Sequence, residues 1–269
     1  EAGILKSYEV PSYAGNRKIF KAYRYFQDRL NHLSEQPADN IKSIMDLREK
    51  INSSTMVLIE VESHSDAYTL FESLNNRGVP LTAVDLIKNK LLARLEKCDP
   101  KHIDVHFESW NQLIKYLGDD YTIQERFFRQ YFNAFKNEIK NETESLSSIP
   151  VATRSNLMRI YETMIENDAQ NFLDKILKAG RCYSFILRNV EDEKHQLLTQ
   201  PLVDLERIQG APSYLLILYL LMERDRFNLN DEHLSQIIQF LVKFFVRRNL
   251  TDIPPTRDLT RLFMHVVEG

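Results

Sequence analysis

The sequence predicts a mainly α-helical protein, a multi-helical bundle with one small strand-bearing portion near its start. Three observations carry that prediction. Apolar residues recur at helical spacing through most of the 269 residues. Only seven glycines and nine prolines interrupt the pattern. A single segment, "TMVLIEVE" at residues 55–62, has the β-branched, apolar character of a strand.

The opening stretch "GILKSYEVPSY" reads as extended or irregular, because Pro11 disfavours helix before it. Residues 18–33 follow as a helix, with Ile19, Tyr23, Phe26 and Leu30 at helical spacing. A second helix is expected at 41–51. The strand at 55–62 cannot satisfy its own backbone groups, so it must pair with Lys6–Tyr8, with another chain, or with a sheet outside this one. Ser65 can cap a helix over 66–74. Thr82 and Asp85 form the pattern of a capping box that opens a helix over 83–96. Helices are expected at 101–118 and 122–140, the latter carrying Phe127, Phe128, Tyr131, Phe132 and Phe135.

"KNETESLSSIP", residues 140–150, is polar and aperiodic and reads as a flexible loop. Further helices are expected at 153–166, 168–189, 201–209, 212–224, 231–249 and 256–267. No repeat of fixed period emerges.

Bulk properties set the class. Hydrophobic residues at 43% and charged residues at 27% are globular usage with ample core material. A net charge of −3 gives no overall basic field, although a local basic face is compatible with it. Cys98 and Cys182 are the two cysteines, which reads as reduced thiols in a cytoplasmic protein. The longest apolar run, Tyr214–Met222, is too short to span a bilayer, so no membrane partner is expected. The chain opens on Glu1 and reads as an internal start.

The candidate chemistry is sparse. His102 and His106 share a helix face, but no H-E-x-x-H pattern or further ligand completes a metal site, and none is expected. The other histidines are scattered. No nucleophile elbow, Walker A loop or G-x-G-x-x-G cradle is present. Acid pairs such as Asp119/Asp120 read as solvated surface.

Two features stay open. Lys243, Arg247, Arg248, Arg257 and Arg261 place five cations in about twenty residues, and could grip phosphates. They could equally complement a helix C-terminus or pair with Asp252 and Asp258. The other feature is the elbow "LNNRGVP". Asn75, Asn76 and Gly78 suit a tight turn, whereas Arg77 is not demanded by geometry. An Arg with amide donors beside a helix N-terminus also suits an anion, which makes Asn75, Arg77 and Gly78 candidate phosphate contacts, and a capped corner accounts for the elbow equally well.

The stretch "LFESLNNRGVPLTAVDLIKNKLL" closely resembles the signature of the GmrSD-like family of modification-dependent restriction proteins. Phe71, Leu74, Asn75, Gly78, Leu81, Thr82, Asp85, Leu86, Lys88 and Asn89 occupy its positions. "FFVRRNLTDIPPTRDLTRLF" is a weaker echo of a second family segment, through Arg247, Arg248, Pro255, Thr256, Leu259 and Phe263.

The resemblance implies a ParB-like N-terminal α+β domain with a D-G-Q-Q-R motif used with nucleotide, then a helical region, and in many members an HNH-type nuclease. Neither D-G-Q-Q-R nor an HNH pattern occurs in these residues. On this reading residues 1–97 are the C-terminal remnant of the ParB-like domain, including the strand, and 98–269 are a helical domain with a loop near 140–150.

The implied function is a DNA-sensing interaction module of a phage-defence protein. DNA, including modified DNA, is the expected partner, alongside the domains that hold nucleotide and nuclease chemistry. A homo-oligomer is also among the expected assemblies. No cofactor is expected in these residues, whereas an NTP and Mg2+ are expected of the complete protein. Two alternatives stand beside it: a nucleotide-dependent nuclease whose site includes the Asn75–Gly78 elbow, and a purely structural helical scaffold.

Overall fold

The computed structural model describes residues 17–34, 40–55, 70, 82–189 and 196–268. Eleven α-helices occupy them. These are α1 (Arg17–Ser34), α2 (Asn40–Asn52), α3 (Ala83–Cys98), α4 (Ile103–Leu117), α5 (Tyr121–Ala134) and α6 (Lys136–Glu142). The remainder are α7 (Leu157–Leu187), α8 (Gln196–Arg207), α9 (Tyr214–Met222), α10 (Asp231–Thr251) and α11 (Thr256–Glu268). The protein is mainly α, as the periodicity predicts. Residues 56–62 of the expected strand, most of the 66–74 helix and the whole 75–81 elbow lie outside the described residues.

Packing divides the chain into two units, Glu1–Glu60 and Val61–Gly269. In the first, α1 packs on α2. Tyr23, Phe26 and Leu30, apolar by spacing, are exposed there, and Phe26 meets Tyr25 edge to face at 5.6 Å.

In the second unit α7 is the axis. It spans 31 residues and breaks at Asp168 (φ −155, ψ 97), where the sequence places the gap between two helices. The Asp168 carboxylate accepts from the Asn171 N–H at 3.0 Å, so it caps the second half. Helices α3 and α4 pack along α7, and α5 and α9 also contact it. Gly180 permits the close approach of α4: a Cβ there would meet Leu113 Cδ1 at 2.3 Å. Helices α8 and α10 pair, while α11 packs on α9, on α5 and on the short 3-10 turn Ala211–Ser213.

Aromatic rings of α5 fill the centre. Phe128 stacks on Trp110 at 6.0 Å and meets Tyr161 edge to face at 5.0 Å, while Phe127 meets Tyr183 at 5.1 Å. All five are buried. The expected single helix 122–140 is two, because the chain bends at Phe135 (φ −110, ψ 23) and keeps that ring buried against Tyr219 at 5.4 Å. The stretch expected as a flexible loop, 140–150, begins in α6 and continues in a 3-10 turn at Glu144–Leu146. Leu146 and Ile149 are buried, and Lys136 Nζ donates to the Pro150 carbonyl at 2.7 Å. Two apolar anchors in a polar sequence hold this segment against the core.

The buried phenols give the fold a pH limit. Burial pushes the Tyr131, Tyr161, Tyr183 and Tyr214 hydroxyls above their ordinary value of 10.0. Tyr161 donates to the Phe128 carbonyl at 2.6 Å and Tyr183 to Gln130 Oε1 at 2.7 Å, so both act in the protonated form. An unfolded chain ionises these phenols from about pH 10 upward, whereas the folded one holds their protons. Stability contributed by the neutral phenols is therefore intact below about pH 10 and lost as pH rises above it. Thermal midpoints at about pH 8 and about pH 11 should show a clear drop at the higher value. Equal midpoints would contradict the burial of these hydroxyls.

Candidate nucleic-acid interface

Helix α5 has two faces. Phe127, Phe128, Tyr131 and Phe132 turn into the core, while Arg126, Arg129, Gln130 and Asn133 form a polar stripe at helical spacing. That stripe is one wall of a cleft of about 800 Å³. Residues 151–154, the turn at Ala211–Pro212 and the first turns of α11 complete it.

Each wall is fixed by specific hydrogen bonds. Tyr183 donates to Gln130 Oε1, and Gln130 Nε2 donates to the Ala211 carbonyl at 2.7 Å, tying α7, α5 and the 211–213 turn together. Asn133 Oδ1 accepts from the Ala152 N–H at 2.7 Å. The Asn156 side chain accepts from the Thr153 N–H at 2.7 Å and donates to the Val151 carbonyl at 3.0 Å, closing the turn that presents Arg154.

Among the described residues five arginines line the cleft: Arg126, Arg129, Arg154, Arg257 and Arg261. They form two tiers. Arg126 and Arg129 are half-buried at the base, and both have a buried Nε that no hydrogen-bond acceptor reaches. Arg126 lies over the Tyr214 ring, 5.6 Å from its centroid. Arg154, Arg257 and Arg261 are exposed at the rim.

Carboxylates are fewer. Glu125 serves two arginines, at 3.7 Å from Arg129 Nε and 3.2 Å from Arg154 Nε. The first of those distances is too long for a hydrogen bond, which is why Arg129 Nε stays unsatisfied. Asp258 lies 3.8 Å from Arg257. Arg126 and Arg261 have no carboxylate partner among the described residues. A half-buried guanidinium without an acid is costly to a fold, and the Tyr214 ring is what Arg126 faces there.

The expected basic residues separate. Arg257 and Arg261 stand in the cleft. Lys243 and Arg247 are exposed on α10 and do not line it. Arg248 holds the α10–α11 turn: it donates to the Pro254 carbonyl at 3.0 Å, to Asp252 at 2.9 Å and to Thr256 Oγ1 at 2.7 Å. It thereby sets where α11 begins. Arg126, Arg129 and Arg154 are absent from the sequence-based set. The signal for the first two is the polar stripe within "RFFRQYFN", which the aromatic pattern overshadows. Asn75, Arg77 and Gly78 lie outside the described residues.

Asp99 pairs with His102, 2.8 Å from its Nδ1, and lies 3.4 Å from His106 Nε2, which has no hydrogen-bond partner among the described residues. The hydrogen bond from His102 holds the Asp99 carboxyl below its ordinary value. No group of three metal-ligating side chains exists among the described residues. Cys98 and Cys182 are free thiols, and burial pushes Cys182 up, away from reactivity. No helix among the described residues is long and apolar enough to cross a membrane.

The capping box is real: the Thr82 hydroxyl accepts from the Asp85 N–H at 3.2 Å, and Asp85 Oδ2 accepts from the Thr82 N–H at 3.0 Å. Val84, Ile87 and Asn89 of the following turns are buried. Part of the signature motif is therefore helix-starting and core chemistry.

No curated protein and no solved structure matches the chain. Residues 5–92 match the family model of the GmrSD restriction endonuclease, N-terminal domain, and so include the motif stretch 71–92. Over those residues the chain is similar to the N-terminal domain of the GmrSD restriction endonuclease.

Proposed function

We propose that the helical body of this chain binds DNA through its phosphates, at the arginine cleft between α5, residues 151–154 and α11. One observation carries the reading: five guanidinium groups converge on one concavity, and two of them have no carboxylate partner among the described residues. Arginine suits this role because its planar fork matches two phosphate oxygens at once. The similarity to a restriction endonuclease domain makes DNA the natural partner. Under this reading the helical body is a sensing and positioning module. Nucleotide and Mg2+ chemistry then belongs with the Asn75–Gly78 elbow and with domains beyond these residues.

The test is the affinity for an oligonucleotide in rising salt. Log affinity should fall linearly with log salt, by about 0.9 per phosphate contact for duplex or about 0.7 for a single strand. Absence of binding at low salt, or binding indifferent to salt, would overturn the reading and favour a structural scaffold.

A further inference from the structure

The cleft is concave and graded, which narrows what can enter it. Its volume of about 800 Å³ falls within the range of small-ligand sites, roughly 300–1,000 Å³. A duplex is a convex rod that carries its phosphates on the outside, so it can rest on the rim but cannot fill the base. Among the described residues no aromatic ring lines the cleft, so the aromatic platforms typical of base-binding grooves are missing there. The base offers donors instead. Arg126 and Arg129 bring two guanidinium groups to that wall, each with a buried Nε that the fold leaves unpaired, and Asn133 lines the same wall, 4% exposed. Asn133 spends its oxygen on Ala152, which leaves its Nδ2 donor without a partner among the described residues. Guanidinium groups without a carboxylate at the floor, and no aromatic platform among the described residues, suit a bare phosphate group better than a base.

An internal phosphodiester enters such a seat poorly, because both neighbouring nucleotides must follow it in. A terminal phosphate projects freely and has more negative charge to share among several donors. The rim arginines Arg154, Arg257 and Arg261 then stand where the strand leaves, placed to meet the next phosphates. The geometry points to a terminal phosphate monoester of a DNA strand as the group that fills the cleft, a proposal that rests on the phosphate-binding reading above.

The experiment uses the full chain and one short fluorescent oligonucleotide in three forms, with a 5′-phosphate, with a 3′-phosphate and with neither, each single-stranded and as a blunt duplex. The expected result is that one phosphorylated form binds at least fivefold tighter than the unphosphorylated strand. Inorganic phosphate should also compete better than chloride at matched ionic strength. The preference should vanish in Arg126→Gln, whereas Arg261→Ala should weaken all forms alike. The wild-type comparison needs no variant, so misfolding cannot hide the outcome. Equal affinity for phosphorylated and unphosphorylated strands, still salt-sensitive and still weakened by Arg261→Ala, would overturn the end-binding proposal and leave the phosphate-binding reading standing. No binding of any form would sink both.

Discussion

Replacing Arg126 and Arg261 together by glutamine should weaken the proposed DNA binding at least about thirtyfold, or about 2 kcal/mol, with little change in thermal stability. The two halves of that expectation come from one observation. Neither guanidinium has a carboxylate partner among the described residues, and Arg126 is half-buried with an unsatisfied Nε. A cation kept there for the fold would be paired, and removing it would destabilise by leaving its partner alone. Exposed Arg261 contributes little to the fold, and Arg126 directs its charge only at the Tyr214 ring and the Tyr183 hydroxyl among the described residues. Their loss therefore costs the fold little, while the ligand loses charge-assisted contacts. Glutamine keeps much of the stem that packs on Tyr214 and removes the charge. Unchanged affinity, or a large drop in thermal midpoint with affinity falling only as protein unfolds, would place these arginines among the structural residues.

Phe128→Ala should cost about 3–5 kcal/mol, a large part of the 5–15 kcal/mol typical of a folded domain. Phe128 is fully buried, and its ring touches rings from three directions: Trp110 of α4, Tyr161 of α7 and Phe127 of its own helix. Its backbone carbonyl also receives the Tyr161 hydroxyl. Truncation opens a cavity among large, interlocked rings that cannot collapse to fill it, which is the expensive case. Chemical denaturation should show a lower midpoint with an unchanged slope. A loss below about 1 kcal/mol would mean that the aromatic centre is loosely packed.

The substitution also bears on the cleft, because the same helix presents Arg126 and Arg129 on its opposite face. Where the core of α5 loosens, the spacing of the floor donors goes with it.

Much of the fold was legible because its signals are local. The Thr82–Asp85 box starts α3 where the residues require, and the gap before 168 appears as the break at Asp168. Ends set by tertiary packing were not legible. The bend at Phe135 serves a ring that reaches Tyr219 more than eighty residues away, and Leu146 and Ile149 look like lone apolar residues until the core is seen. The site was half legible for the same reason. Arg257 and Arg261 were found by their local density, together with Arg248, whose hydrogen bonds to Pro254, Asp252 and Thr256 give it to the turn. Arg126, Arg129 and Arg154 join them only through the fold, since they come from α5 and from the turn that Asn156 closes.

The most direct test of the central claim is where backbone amides gain protection when DNA binds. Hydrogen exchange followed with and without an oligonucleotide at low salt should show slowed exchange at residues 151–156 and at the start of α11, residues 256–259, the two irregular or terminal segments that border the arginines. Protection confined to α10 around Lys243 and Arg247, with residues 151–156 and 256–259 unchanged, would contradict the cleft as the DNA site.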